Sequence, residues 1–165
     1  VQASLTGHLV FSTLHTNDAP SALTRLVDMG IEPYLVASSL EGVLAQRLVR
    51  VLCPSCKSED LSDKAVALSE EFNIPAGTPV FKPAGCAKCR NTGFHGRHAV
   101  FEMMPLNQKI RNRILQNCSS GELKELAMKD GMSTLSDDGW RLVCEGITTP
   151  DEVLRVTKSD HVNRD

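Results

Sequence analysis

Two C-x-x-C turns set the tightest limit on what this chain can fold into: Cys53 and Cys56 in CPSC, and Cys86 and Cys89 in CAKC. One such turn presents two thiolates to the same side of a metal ion. A second turn closes the tetrahedron that zinc takes with four soft ligands. Any fold that satisfies this pattern must bring residues 53–56 against residues 86–89. The pairs are separated by 29 residues, more than the roughly 15–20 of ordinary zinc ribbons. A short helical pattern around residues 62–72, followed by a Pro/Gly-rich return, accounts for the excess as an insertion. Four thiolates on Zn²⁺ carry a net charge of −2, which Lys57, Lys88 and Arg90 partly offset. CPSC also has the form of a thioredoxin-type dithiol, but the sequence places it after a long helical pattern instead of the strand that motif requires, and it has a matching partner pair. Haem attachment needs His after the second cysteine, where this chain has Lys57 and Arg90. Structural zinc, with all four positions filled by protein and none left open for chemistry, is the preferred reading.

Charge excludes other classes. Residues 1–50 carry three basic and four acidic groups, residues 51–104 six of each, and the remainder nine and ten. A surface for nucleic acid or anionic lipid would unbalance at least one of these counts. Aromatic residues make up only 4% of the chain, too few for stacking on bases, so no nucleic-acid partner is expected. No apolar run approaches the ~20 residues of a transmembrane segment. No basic n-region marks a signal peptide, which implies a reducing compartment in which paired cysteines hold metal. The chain does not begin with Met and reads as part of something longer. Cys118 and Cys144 stand alone on helical patterns.

The pattern along the chain is α/β. HLVFSTL (residues 8–14) is apolar and β-branched, as in a strand covered on both faces, with Leu9, Phe11 and Leu14 buried. Asn17 or Asp18 can then cap a helix with Pro20 in its first turn and Gly30 beyond its end. Pro33 opens a second helix, whose stripe of Leu35, Val36, Leu40, Val43, Leu44 and Leu48 predicts helix to about residue 50, with Arg47 and Arg50 off the stripe. NTGFHGRHAVFEMM reads as a turn and a strand. The tail is helical, with capping-box patterns at Ser119/Glu122 and Thr149/Glu152 and helix ends at Gly131 and Gly146.

His8 and His15 bracket the first apolar run. Chemistry alone leaves them as ordinary strand-end and helix-entry residues, because no nearby carboxylate or thiol completes a catalytic set. Their seven-residue spacing fits no standard zinc-ligand pair.

The stretch from Gln2 to Lys57, with GCAKCRNTGFHGRHAVFEMMPL and the helical tail, closely resembles the secretion ATPases of type II secretion and type IV pilus assembly. TGHLVFSTLHTND resembles that family's His box. AQRLVRVLCPSC and GCAKC resemble its tetracysteine zinc module, which retraction-type members lack. The resemblance implies a RecA-like P-loop ATPase that assembles into a homo-hexamer on the cytoplasmic face of the inner membrane. There, turnover of ATP with Mg²⁺ drives membrane platform proteins that extrude pilin-like subunits. It also implies that His15, and with it His8, sits near the γ-phosphate, and that Arg25 and Arg47 face nucleotide or a neighbouring subunit.

One departure from the family is large. No G-x-x-x-x-G-K-[ST] occurs, and no Gly-Lys dipeptide at all. Backbone N–H groups to cradle phosphates and a lysine for the β/γ oxygens are therefore missing, as is an apolar strand ending in Asp-Glu. The expected organisation is the C-terminal part of a RecA-like domain over residues 1–50, a tetracysteine zinc module over 51–104 and a C-terminal helical subdomain over 105–165. By this reading the chain has no ATPase activity alone. Two rivals remain: a free-standing zinc-binding module, and a dithiol oxidoreductase with one reactive thiol.

Overall fold

A computed structural model describes residues 1–72 and 74–157. In chain order the elements are helices α1 (Gln2–Leu5), α2 (Ala19–Asp28) and α3 (Pro33–Ser39), strands β1 (Gly42–Leu52) and β2 (Ser58–Glu59), helix α4 (Asp63–Glu71), strands β3 (Phe81–Lys82) and β4 (Phe94–Pro105), and helices α5 (Gln108–Leu115), α6 (Ser120–Lys129), α7 (Leu135–Cys144) and α8 (Pro150–Thr157). A single 3₁₀ turn spans Ala87–Cys89. Among the described residues β1 pairs with β4, and β2 pairs antiparallel with β3 in the register Ser58↔Lys82 and Glu59↔Phe81. No described helix is long and apolar enough to cross a membrane.

The described residues form two compact units, each built from two separated stretches: residues 1–46 with 101–134, and residues 47–100 with 135–157. The units cut across the three segments drawn from the sequence. Of the helical tail, α5 and α6 belong with the first stretch, and α7 and α8 belong with the cysteine region.

In the first unit, α2 begins where Asp18 accepts the Ser21 N–H at 2.9 Å, with Pro20 in the first turn. Its Ala19 and Leu23 pack with Val36 of α3, Met104, Leu106, Ile110 and Ile114, and with Leu123 and Ala127 of α6. Burial of a side chain such as Leu23, 1% exposed, contributes about 1.5–3 kcal/mol. The predicted capping box of α6 forms: Ser119 accepts the Glu122 N–H, and the Glu122 carboxylate takes the Ser119 N–H at 2.8 Å. The Arg111 guanidinium donates to Ala37 O, a carbonyl that the end of α3 leaves open, and at 3.0 Å to Leu106 O, just before α5.

Two expectations fail here. The helix predicted from Pro33 to about residue 50 stops at Ser39, and residues 42–52 form β1. Leu44 and Leu48, spaced as on a helix, point outward with Gln46 and Arg50, while Val49 and Leu52 are buried. The β-branched residues Val43, Val49 and Val51 favour the strand. Residues 8–14 form no strand: Leu9 is 82% and Phe11 90% exposed, and Leu14 also lies at the surface. A strand read as two-sided needs neighbours for its N–H and C=O groups, and no described strand lies alongside this segment. The short helix α1 lies just before it.

In the second unit, Val80, Trp140, Val143 and Val153 form a small core, joined by Leu68, Phe72, Ile74 and Leu154. The rings of Phe72 and Trp140 stack with centroids 4.1 Å apart. The α7–α8 connection covers the edge of β1 that β4 leaves open. Leu52 N–H donates to Ile147 O at 2.8 Å, Thr148 Oγ1 donates to Arg50 O at 2.8 Å, and Arg50 N–H donates to the Glu152 carboxylate at 2.9 Å. The second expected capping box forms by half: Thr149 Oγ1 accepts the Glu152 N–H at 3.3 Å. The Glu152 carboxylate itself turns to the guanidinium groups of Arg50 and Arg155, at 2.7 and 2.8 Å.

Candidate metal centre and histidine segment

The end of β1 delivers Cys53, and the turn after it delivers Cys56, whose N–H donates to Cys53 O at 3.2 Å. The second pair sits on the 3₁₀ turn, with Cys89 N–H donating to Cys86 O at 3.2 Å. The chain leaves this turn through Arg90 and Asn91, both left-handed at φ 54° and 60°, and then Gly93 at φ 75°. Gly93 is sterically required: a Cβ there would stand 2.3 Å from Pro83 Cβ. Its carbonyl accepts the Cys53 N–H at 2.9 Å, which ties the two cysteine turns together.

These turns bring all four sulfurs within 4.8 Å of one another. Cys53 Sγ lies 3.9 Å from Cys86 Sγ, and Cys89 Sγ lies 3.8 Å from both Cys56 Sγ and Cys86 Sγ. Four sulfurs at about 2.3 Å from a tetrahedral ion are separated by about 3.8 Å, so the cluster has the dimensions of a tetrathiolate site. Cys53 and Cys89 are buried, and Cys56 and Cys86 are half-buried. Backbone donors face the sulfurs: Gly85 N–H to Cys56 Sγ at 3.3 Å, and Cys86 and Gly93 N–H to Cys89 Sγ at 3.2 Å each.

The cluster ionises unevenly. Burial acts to raise the Cys89 thiol, but the N–H groups of Cys86 and Gly93 and the neighbouring thiols outweigh it and bring it down to about 6. Burial raises Cys56 to about 11, against the opposing N–H of Gly85. Of these two thiols Cys89 is the one favoured as thiolate. A divalent cation would draw off the remaining protons.

The structure removes one argument made from the sequence: CPSC does follow a strand, β1, so position alone does not separate a metal site from a dithiol. Sulfurs of different pairs stand as close as those within one pair, an arrangement that could hold a metal ion. Lys57, next to Cys56, donates to Gly146 O at 2.8 Å and lies 4.5 Å from the Phe81 ring centroid. This contact links the first cysteine turn to the end of α7. Lys88 reaches Ser55 Oγ at 3.4 Å, and Arg90 is exposed.

Both histidines lie on the exposed segment before α2. His8 Nδ1 is 2.9 Å from Thr6 Oγ1 and 3.3 Å from Ala3 O. The Thr6 hydroxyl also reaches Ala3 O at 2.8 Å. His15 is exposed immediately before the helix-entry residues Thr16–Asp18. Arg25 is exposed on α2 in the first unit, and Arg47 is half-buried on β1 in the second. Sequence reasoning passes over the buried carboxylate Glu102, and it reads the equally buried Glu152 only as a helix cap. For Glu102 a signal existed: in AVFEMM it stands two residues from Val100 and two from Met104, on the same face of β4.

The sequence model of a family described as type II/IV secretion system protein matches residues 1–155. The chain belongs to this family. Among its secretion-system relatives, the type II secretion system protein E of Pseudomonas aeruginosa is 49% identical over 160 residues, 97% of this chain and 32% of that protein. The type IV pilus assembly ATPase TfpB of Acinetobacter baylyi is 47% identical over 158 residues, 94% of this chain and 27% of that protein. The type II secretion system protein E of Dickeya dadantii is 46% identical over 160 residues, 97% and 32% respectively. The chain therefore spans about a third of the length of these relatives. The crystal structure of the pilus retraction motor PilT with bound ADP superposes with a TM-score of 0.56 at 21% identity, covering 94% of this chain and 35% of that one. That likeness concerns the fold alone, which is α/β.

Proposed function

We propose that the chain is the C-terminal portion of an ATP-hydrolysing motor that powers type II protein secretion by driving assembly of pseudopilin subunits. The motor works as a hexamer on the cytoplasmic face of the inner membrane, against membrane platform proteins. The observation that carries this reading is the match at 49% and 46% identity, over 97% of the chain each time, to two proteins named type II secretion system protein E. A second reading, extension of type IV pili, is favoured by the 47% match to a type IV pilus assembly ATPase. A free-standing metal module is disfavoured, because the family match begins at residue 1 and includes the histidine segment.

In this reading Cys53, Cys56, Cys86 and Cys89 hold Zn²⁺, which supplies no chemistry and fixes the two turns against each other. His15 supplies a hydrogen bond to a γ-phosphate oxygen or to the attacking water, and His8 supports the same segment. Arg25 and Arg47 offset phosphate charge or meet a neighbouring subunit. ATP is the substrate, with Mg²⁺ held by residues outside this chain. In the full-length protein, His15→Ala should lower ATP turnover by about 10²–10³ while nucleotide affinity and metal content stay nearly unchanged. Residues 1–165 alone should hydrolyse no ATP. Full turnover in the variant, or hydrolysis by residues 1–165, would overturn the proposal.

A further inference from the structure

The side chains that β4 sends inward are Val100, Glu102 and Met104, each 0% exposed. A carboxylate at such a position is costly unless donors meet it. Glu102 Oε1 accepts the Ala19 N–H at 2.8 Å across 83 residues of sequence. That N–H belongs to the first residue of α2 and has no partner within the helix. The helix end is also the positive end of the backbone dipole. Ala19 is itself fully buried, so water cannot take the place of Glu102.

The local sequence already supplies a cap for α2, since Asp18 accepts the Ser21 N–H. The remote carboxylate is therefore not needed to start the helix. What it fixes is where the helix starts relative to β4. The residues just upstream are tied to the same point: Thr16 Oγ1 donates to Asp18 O at 3.1 Å, and the Asp18 carboxylate lies 3.7 Å from Lys124 Nζ on α6. His15 stands directly before this pinned stretch.

We infer that Glu102 is a positioning residue for His15, setting the imidazole against the phosphate through the start of α2. The inference rests on the phosphate-contact reading of His15 given above. A hydrogen-bonding group misplaced by about 1 Å costs up to about a hundredfold in rate, so an anchor two elements away can govern turnover without touching the nucleotide.

The test uses the full-length protein with Glu102→Gln, Glu102→Asp and Glu102→Leu, each with and without His15→Ala. Glu102→Gln keeps an oxygen acceptor in place and should retain most activity. Glu102→Leu should lower kcat about ten- to a hundredfold, with KM for ATP little changed. Hydrogen exchange at the Ala19 amide should accelerate with Leu and not with Gln. In the His15→Ala background Glu102→Leu should cost nothing further. Glu102→Asp withdraws the acceptor by one methylene and keeps the charge, and it carries the same comparison if the Leu variant does not fold. Additive losses from Glu102 and His15 variants, or unchanged kcat with an unprotected Ala19 amide, would overturn the inference and leave the role of His15 standing. Full turnover in His15→Ala alone would instead overturn the reading on which it rests.

Discussion

Replacing Glu152 by Gln tests how the second unit is held together. The carboxylate is 2% exposed and accepts the Arg50 N–H at 2.9 Å together with both guanidinium groups. Burial acts to raise its pKa, but the bonds from Arg155 and Arg50 outweigh this and lower it from 4.5 to about 2. A folded-state pKa below the unfolded one stabilises the fold above the unfolded value, and that stability is lost as pH falls through the folded value. That difference corresponds to about 3 kcal/mol at pH 7 and about 1 kcal/mol at pH 3. Because Arg50 and Arg155 are about half exposed, solvent screening brings the pH 7 figure to about 2–3 kcal/mol. Glu152→Gln keeps the shape and one acceptor but removes the titrating charge. Urea unfolding followed by fluorescence of Trp140, the single tryptophan, reports this unit directly. The variant should be less stable by about 2–3 kcal/mol at pH 7, with the deficit at least halved at pH 3. An equal deficit at both pH values would refute the electrostatic account, and so would a variant as stable as the parent at pH 7.

Two further outcomes follow from the cysteine cluster and from the α7–α8 contact. Purified protein should carry close to one zinc per chain by elemental analysis, and Cys53→Ser should lose it and loosen residues 53–93 to protease; a metal-free protein with a Cys53–Cys56 disulfide would sink the tetrathiolate reading. Gly139→Ala would place a Cβ 2.6 Å from Val153 Cγ1, and should cost about 1–3 kcal/mol in the same urea assay without changing metal content.

The features legible in the sequence are those set by near neighbours. Asp18, Ser119, Pro33 and Pro150 mark helix starts because a cap or a fixed φ acts within one turn. The two C-x-x-C turns announce their meeting because no other partner suits four thiols in a chain with balanced charge. β1 looks helical in the sequence because Leu44 and Leu48 repeat at helical spacing, while the deciding alternation of Val43, Val49 and Val51 depends on pairing with β4, some fifty residues away. HLVFSTL has strand composition, but strand composition becomes a strand only beside another strand. Glu102 and Glu152 are buried by elements distant in sequence, and only the interruption of an apolar face by Glu102 hinted at this.

The hydrogen bond from Cys53 to Gly93 has an evolutionary consequence. It holds the ends of β1 and β4 as neighbours whatever lies between, so the excursion from Pro54 to Thr92 behaves as a cassette that a tight turn could replace with little disturbance of the strands. Such an exchange could not be silent elsewhere. Phe72 and Val80 leave with the cassette and expose Trp140 and Val143, while Lys57 leaves Gly146 O without its donor. Lineages that shed Cys56, Cys86 and Cys89 in this way should carry smaller or more polar residues at positions 140 and 143, and descendants that keep the tryptophan should have filled the gap with some other insertion.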